Sequence, residues 1–385
     1  MKKILLIIIV TTLNLNVFAQ FKFLIDFDSA NIDTLKSKYN SKTNTIEYYP
    51  FKDNTNTENV WFYFGATGYR NDTALTILTK FDKEIIIPNY PTISFNNIDF
   101  QNIKMCKHNN IAKVCIQKPQ DSIFISLGYP YNYKKLTNYI KTLKNNKLVQ
   151  IDNSFQSKQK LSVPYLTITD FTIKTKKKNT IWIIGRQHAF ESISNYTIEG
   201  MINYLISNEA QNDKILQKYI FRIIPIVDVD NVYNGQTGRM SKPRDLNRDW
   251  DKPLNKTIQW IENLIKSTTK KSTYYAFFDI HSTYPGGKSS YFFSYFDIYS
   301  KNPYTENMMD YWHKFHKYTG FRPKIIIDTD EYYDSKSSDL YNALYFKPKY
   351  FSTTIECDWN LNFYEKVWNT EDWKNIGKFM MKSLL

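Results

Sequence analysis

Strands and helices alternate along this chain from about residue 148, and that alternation restricts its fold more than any other feature. Buried strands are predicted by apolar runs at 181–184, 221–227, 274–280 and 350–355. Helices are predicted by the spacing of apolar residues at 194–206, 258–265 and 308–318. The pattern is typical of an α/β fold, in which a mixed, largely parallel sheet lies between two layers of helices.

Four chemically informative residues lie at the predicted carboxyl ends of these strands. His188 follows the first strand, His281 and Glu356 end the third and fourth, and Glu191 stands three residues after His188. Open α/β sheets bind their ligands at this edge, so we expect the four side chains to converge. Two imidazoles and a carboxylate form a hydrolytic zinc set with one position open for water. We therefore predict one Zn²⁺ per chain, held by His188, Glu191 and His281, with Glu356 as the general base.

The segment 244–250, Arg-Asp-Leu-Asn-Arg-Asp-Trp, supplies groups suited to a carboxylate ligand. Arg248 presents a planar fork of donors that fits a carboxylate bidentately, and Asn247 adds a neutral donor beside it. An enzyme that recognises the free C-terminus of a peptide needs such a clamp. Asp245 is a candidate to accept the second ring N–H of a zinc-bound histidine and so fix its tautomer.

The N-terminal part of the chain has a different character. Residues 1–19 combine Lys2 and Lys3 with an apolar run and a plausible cleavage site, which predicts a signal peptide and a periplasmic or secreted protein. Residues 20–147 contain short β-prone segments separated by Asn, Asp, Pro and Gly, which predicts a β-sandwich domain. Residues 148–385 would then form the catalytic domain. After the signal peptide, we expect no membrane span.

The chain has 51 Lys and Arg against 37 Asp and Glu, a formal net charge of +14. This balance favours anionic substrates or cell-envelope polymers, and it is equally typical of a soluble surface rich in Lys and Asn. The run 174–178 contains no interleaved aromatic residue, so we interpret it as a solvated turn and expect no nucleic-acid binding. Cys106 and Cys115 are near enough in sequence to close a hairpin by a disulfide, and Cys357 is predicted to be a buried thiol.

Several motifs follow one another in a recognisable order: Arg186-Gln187-His188-x-x-Glu191, Pro225 to Asp230, Asp245-Leu246-Asn247-Arg248-x-Trp250, Asp279-Ile280-His281 and Thr354-Ile355-Glu356. In this order they resemble the motifs of the M14 zinc carboxypeptidases, and within that family those of the cytosolic-carboxypeptidase-like branch. The segments 61–64 and 129–133 are similar to elements of the β-sandwich that precedes the catalytic domain in that branch. The resemblance covers nearly the whole chain after the signal peptide.

The resemblance implies the same three zinc ligands, the Asn247 and Arg248 clamp, and the general base given above. It also implies that Arg239 polarises the scissile carbonyl, and it makes Tyr332 and Tyr333 candidates for the family's substrate-capping tyrosine. The sequence departs from the family motif where Ala189-Phe190 replaces Pro-Gly between the first two ligands.

Three functions remain open from the sequence. The first is a zinc metallocarboxypeptidase that removes C-terminal residues from peptides or proteins, with a weak preference for acidic residues. The second has the same chemistry and acts on peptidoglycan stem peptides. The third is a binding protein on an inactive peptidase scaffold, against which the intact ligands, clamp and base argue. We expect a monomer.

Overall fold

The computed structural model describes residues 20–52, 60–80, 87–285, 304–320, 337–359 and 367–385. The predicted signal peptide at 1–19 and the two candidate capping tyrosines lie outside these ranges. Within them, no helix is both long and apolar enough to cross a membrane.

Two sheets form the N-terminal part of the described chain. The strands are β1 (Lys22–Leu24), β2 (Lys38–Asn40), β3 (Thr45–Glu47), β4 (Tyr63–Thr67), β5 (Leu75–Lys80), β6 (Thr92–Ser94), β7 (Gln101–Asn102), β8 (Cys106–His108), β9 (Ile111–Ile116) and β10 (Ser122–Ser126). One sheet has the order β1-β4-β10-β6-β7 and the other β2-β3-β5-β9-β8. Tyr48, just after β3, contacts Phe64 of β4 and Phe62 just before that strand, each with ring centroids 5.1 Å apart. The sheets therefore share an aromatic core, as predicted for a sandwich.

The second part of the chain is built around one sheet of six described strands. These are β11 (Val149–Asp152), β12 (Tyr165–Ile168), β13 (Asn179–Gly185), β14 (Tyr219–Ile224), β15 (Thr273–Ser282) and β16 (Phe351–Cys357). Their order is β11-β12-β14-β13-β15-β16. The four strands β14, β13, β15 and β16 are parallel, and at one edge β12 pairs antiparallel with both β14 and β11. The sheet is thus mixed and largely parallel, as predicted.

The described helices are α1 (Tyr133–Leu143), α2 (Ser192–Leu205), α3 (Asn208–Asn212), α4 (Ile215–Lys218), α5 (Val229–Tyr233), α6 (Lys256–Thr269), α7 (Thr305–Thr319), α8 (Ser338–Tyr341) and α9 (Thr370–Lys382). A 3₁₀ turn covers Thr175–Lys177, another covers Leu246–Arg248, and a π-helical turn covers Asn342–Phe346. The predicted boundary between residues 147 and 148 falls between α1 and β11.

Helical elements cover both faces of this sheet. Neighbouring residues on a strand face opposite sides, and on β15 the ring of Phe277 lies 6.2 Å from Trp250 while that of Phe278 lies 5.7 Å from Tyr311 of α7. On the Phe277 side, Trp260 of α6 packs edge-on against Tyr165 of β12. The three-layer fold predicted from the sequence is therefore confirmed.

Three local predictions were wrong. The strand predicted at 221–227 ends at Ile224, because Pro225 has no N–H to continue the ladder. The lysine run is not wholly solvated: Lys178 is buried and donates to Thr169 Oγ1 and Leu216 O, both at 2.8 Å. Cys106 and Cys115 are free thiols, since the β8–β9 register places Cys106 opposite Lys113.

Candidate active site

A tightly held loop carries the first ligand away from the end of β13. Arg186, the residue after this strand, has a left-handed backbone (φ 58°) and a buried side chain. Its guanidinium donates to Ala189 O (2.8 Å), Asn195 Oδ1 (2.6 Å) and Tyr131 O (3.0 Å). One arginine thus fixes the ligand loop to α2 and to the segment that precedes α1.

The three predicted zinc ligands meet at this edge of the sheet. His188 lies in the loop, Glu191 is the N-cap residue of α2, and His281 lies near the end of β15. Glu191 Oε1 is 2.8 Å from His188 Nδ1, and Glu191 Oε2 is 2.9 Å from His281 Nδ1. One potential ligand atom from each residue lies within 4.8 Å of the others, so the group can hold a metal ion.

The outer ring nitrogens of both histidines face aspartates. His188 Nε2 donates to Asp245 Oδ1 (3.1 Å), and His281 Nε2 donates to Asp279 Oδ2 (2.9 Å). These contacts place one ring proton on Nε2 of each histidine, so that Nδ1, on the side of Glu191, is the ring atom available to a metal ion. Nδ1 of His281 is buried and makes no hydrogen bond of acceptable geometry within the described residues. Two oriented imidazoles and a carboxylate are the donor set that zinc prefers, so these residues fit the ion.

Electrostatics in the metal-free site reflect this clustering. Burial by itself lowers the pKa of His188, but the carboxylates of Glu191 and Asp245 outweigh it and raise that pKa to about 9. Burial likewise opposes ionisation of Glu191, but His281 and His188 lower its pKa to about 2. In the metal-free site, protonated histidines therefore lie next to the Glu191 carboxylate. A metal cation that displaces their protons would be stabilised by the same carboxylate.

Glu356 lies beside the ligands on the neighbouring strand. The parallel register of β15 and β16 pairs it directly with His281, so both side chains emerge on the same face. Its side chain is half-buried, and Oε2 is sealed from solvent without a hydrogen-bond partner in the described ranges. Burial, followed by the charge of Glu191, raises the pKa of Glu356 to about 7. A carboxylate poised near neutral pH is suited to taking up and returning a proton.

A buried polar network behind the ligands was missed by sequence reasoning. Gln187 Nε2 donates to Asn247 Oδ1 (3.1 Å) and to Asp279 Oδ2 (2.5 Å), while Gln187 Oε1 accepts from Trp250 Nε1 (3.0 Å). The N–H of Ser338 also donates to Asn247 Oδ1 (3.0 Å). The only sequence signals were that Gln187 precedes the first ligand and that Asp279 stands two residues before His281.

The clamp residues lie at different depths. The Asn247 side chain is buried, and the contacts to its carbonyl oxygen turn its amide nitrogen toward His281 Nε2, 3.3 Å away. Arg248 is half-buried, and its Nη1 donates to the backbone oxygen of Asn247 (2.9 Å). Arg239 is exposed, with its guanidinium carbon 4.7 Å from the centre of the Tyr284 ring. Tyr284 follows His281 by three residues, so Arg239 lies near the mouth of the site.

Cys357, which follows Glu356, has no sign of nucleophilic activation. Its thiol is buried and lies 3.3 Å from Thr197 Oγ1. Burial raises its pKa to about 12, so the reactive thiolate is scarce at neutral pH.

Comparison with known proteins agrees with this geometry. Residues 136–323 match the family model Peptidase_M14, described as zinc carboxypeptidase. Human cytosolic carboxypeptidase 6 is 26% identical over 177 residues, which cover 44% of this chain and 35% of that protein. Cytosolic carboxypeptidase 6 of Caenorhabditis elegans is 25% identical over 249 residues, covering 58% of this chain and 54% of that protein. The chain thus spans about a third to a half of the length of these relatives.

A solved structure resembles the chain over nearly its whole length. The metallo-carboxypeptidase from Burkholderia cenocepacia has a TM-score of 0.80 at 18% identity, covering 95% of this chain and 98% of that one. At this identity the likeness shows the fold. Together with the family match and the His-Glu-His group, it defines a metallo-carboxypeptidase fold with a site for one metal ion. Residues 136–323, which include all three residues of the His-Glu-His group, match an M14 zinc carboxypeptidase domain.

Proposed function

We propose that this protein is a zinc-dependent carboxypeptidase that removes single residues from the free C-termini of peptides or proteins. The observation that carries this proposal is the meeting of His188, Glu191 and His281 with Glu356 in register beside them and the Asn247–Arg248 pair behind. A metal set, a proton acceptor and carboxylate donors are the parts that hydrolysis of a terminal peptide bond requires.

His188, Glu191 and His281 would hold the zinc ion, and when bound it supplies Lewis acidity toward water and the peptide carbonyl. Glu356 takes the proton of the attacking water and delivers it to the nitrogen of the departing residue. In the metal-free site, burial and the charge of Glu191 raise its pKa to about 7, which favours uptake of a proton. Asp245 and Asp279 keep the ligand rings oriented throughout, because each accepts a hydrogen bond from an outer ring nitrogen.

The substrate's terminal carboxylate is recognised by Arg248, assisted by the amide nitrogen of Asn247. Arg239, near the mouth of the site, faces the scissile carbonyl and stabilises the negative charge that develops on its oxygen. The basic charge of the chain favours substrates with acidic C-terminal residues. The pattern of residues 1–19 favours export, so these substrates would be met in the periplasm or outside the cell.

A mixed pool of synthetic peptides tests the proposal directly. Incubation with the zinc-loaded protein, followed by mass spectrometry, is expected to show loss of single C-terminal residues. Chelation should abolish the loss, and added zinc should restore it. Peptides with amidated C-termini serve as the matched control and should remain intact, since an amide does not present the carboxylate that Arg248 reads.

Two other results would change the conclusion. If only purified peptidoglycan stem peptides were cleaved, the proposed reaction would stand, but its substrate would be peptidoglycan stem peptides. Stoichiometric zinc binding without hydrolysis of either class would contradict the proposal and favour a binding protein on a peptidase scaffold.

A further inference from the structure

A second cavity lies beside the segment that carries the carboxylate clamp. It has a volume of about 440 Å³, within the usual range for small-molecule sites. Its walls come from the loop between β11 and β12, the residues after β14, and the start of α6. Leu246, which stands between Asp245 and Asn247, lines it, whereas the three zinc ligands and Glu356 do not. The cavity is therefore separate from the metal centre.

Four lysines surround this cavity: Lys158, Lys160, Lys242 and Lys256. They come from three separate segments of the chain, and all four are exposed. Within the part of the chain that the structure describes, none of them forms an ion pair with a carboxylate. Four positively charged side chains from distant parts of the sequence thus surround one concave surface.

Two acidic residues of the cavity wall, Asp228 and Asp230, offset only part of this charge. Asp230 is engaged locally, since it accepts hydrogen bonds from Ser157 Oγ and from the backbone N–H of Gln159 (3.3 Å). Asp228 is buried and accepts a hydrogen bond from Asn231 Nδ2 (2.7 Å). Four lysines against two carboxyl groups leave the cavity lining with a net positive charge.

Two further features define what the cavity accepts. The first turn of α6, a helix of 14 residues, opens onto it, and the partial positive charge of a helix N-terminus favours anions. Apolar side chains form part of the wall, with Val227 and Leu246 buried and Leu254 exposed. A ligand with a charged head and a small apolar body matches both surfaces.

We propose that this cavity is a second binding site, which takes a small organic anion with a phosphate or carboxylate head and a short apolar body. The lysines contact the head group from three sides, and the body packs against Leu246 and its apolar neighbours. The site does not depend on peptide hydrolysis, so its occupancy is measurable with or without substrate.

The site is tested by isothermal titration calorimetry, which measures the affinity of the full-length, zinc-loaded protein for phenyl phosphate. Phenol serves as the uncharged reference ligand. We expect saturable binding of one phenyl phosphate per chain and no comparable binding of phenol. The double variant Lys158→Gln/Lys256→Gln should bind at least tenfold more weakly, because each lysine supplies a charge-assisted hydrogen bond. Both side chains are exposed, so thermal unfolding should be unchanged.

A matched pair of exposed lysines at the end of α1, Lys141 in its last turn and Lys144 just after it, controls for the loss of two positive charges when changed as Lys141→Gln/Lys144→Gln. Unchanged affinity in this control supports the site. Equal weakening in both double variants would overturn the proposal, because it would reflect net charge alone. The absence of saturable binding would also overturn the proposal. So would an affinity that is weakened by Arg248→Ala and unchanged by the lysine substitutions, because this result would place the anion at the metal centre.

Discussion

The two halves of the candidate active site are built in different ways. The metal half, formed by His188, Glu191, His281 and Asp279, is buried, with 8%, 3%, 1% and 0% of each residue exposed, and it rests on strand ends and the start of a long helix. The substrate half, formed by Arg239 and Arg248, lies on loop and 3₁₀ segments with at least partly exposed side chains. The metal half is therefore held by the core of the fold, whereas the substrate half is held by local segments nearer the surface.

This difference predicts which quantity each substitution changes. Substitutions in the metal half should reduce zinc affinity or the rate of the chemical step, since these depend on fixed geometry. Substitutions in the substrate half should act mainly on the binding of the C-terminal carboxylate.

The largest effect is expected from Glu356→Gln. The amide cannot accept the proton of the attacking water, so kcat should fall by about 10²–10⁴-fold. Zinc content, measured by atomic absorption, should be unchanged because Glu356 is not a ligand. The exposed Glu306→Gln on α7 is the matched control. Activity close to that of the unaltered protein would refute the assignment of the base.

Gln187→Leu should produce the next largest effect, and it tests whether the buried network belongs to the metal half. The substitution removes the donors to Asn247 and Asp279, so the support of His281 is weakened. Zinc affinity, measured by competition with a chelator, should fall by about 10–100-fold. Activity at saturating zinc should recover in part. Unchanged zinc affinity would show that the network only packs the core.

Arg248→Ala tests the substrate half. Loss of a charge-assisted contact should raise KM by about 10–100-fold with zinc affinity unchanged. Arg248→Lys should restore part of the binding, since a lysine keeps the charge but not the bidentate geometry. Discrimination between peptides with free and amidated C-termini should disappear in the alanine variant. If the alanine variant still distinguishes free from amidated C-termini as well as the unaltered protein does, residues other than Arg248 bind the carboxylate.

The smallest effect concerns Asp228, in the turn between β14 and α5 that leads toward Arg239. Burial raises its folded-state pKa to about 7, from about 3.9 in an unfolded chain. The folded protein therefore binds this proton more tightly, so the stabilising contribution is fully present below about pH 4 and is lost as the pH rises through about 7.

Asp228→Asn resembles the protonated carboxyl and should remove this pH dependence. The unaltered protein should lose stability between pH 5 and pH 8, whereas the variant should not. The difference between their free energies of unfolding should therefore grow over this interval, by a few kcal/mol at most, since one pKa unit corresponds to about 1.4 kcal/mol. Denaturant titrations at several pH values measure the difference. Parallel stability curves would show that Asp228 ionises normally in the folded protein.

Local patterns in the sequence were enough to predict the scaffold of the site. β13, β15 and β16 were predicted from continuous apolar runs, because these strands are buried on both faces of the sheet. Helix α6 was predicted from the spacing of its apolar residues, because only one of its faces is buried. Contacts between distant residues leave no such trace. Lys178 is buried by partners 9 and 38 residues away, and Gln187 bonds to residues 60 and 92 positions downstream. These contacts were therefore missed, although the convergence of His188, Glu191 and His281 was predicted.

The hydrogen bond from Arg186 to the backbone of Tyr131 has a consequence for how this protein can be divided. On the same side, the Tyr196 hydroxyl of α2 donates to Pro130 O (2.9 Å) and accepts from Lys135 Nζ (3.0 Å). A fragment that begins at residue 148 would leave the Arg186 guanidinium short of an acceptor beside the first metal ligand. The two parts are thus not interchangeable modules. Recombination between homologous genes should preserve function only when the segment around residues 130–135 is inherited together with the metal site.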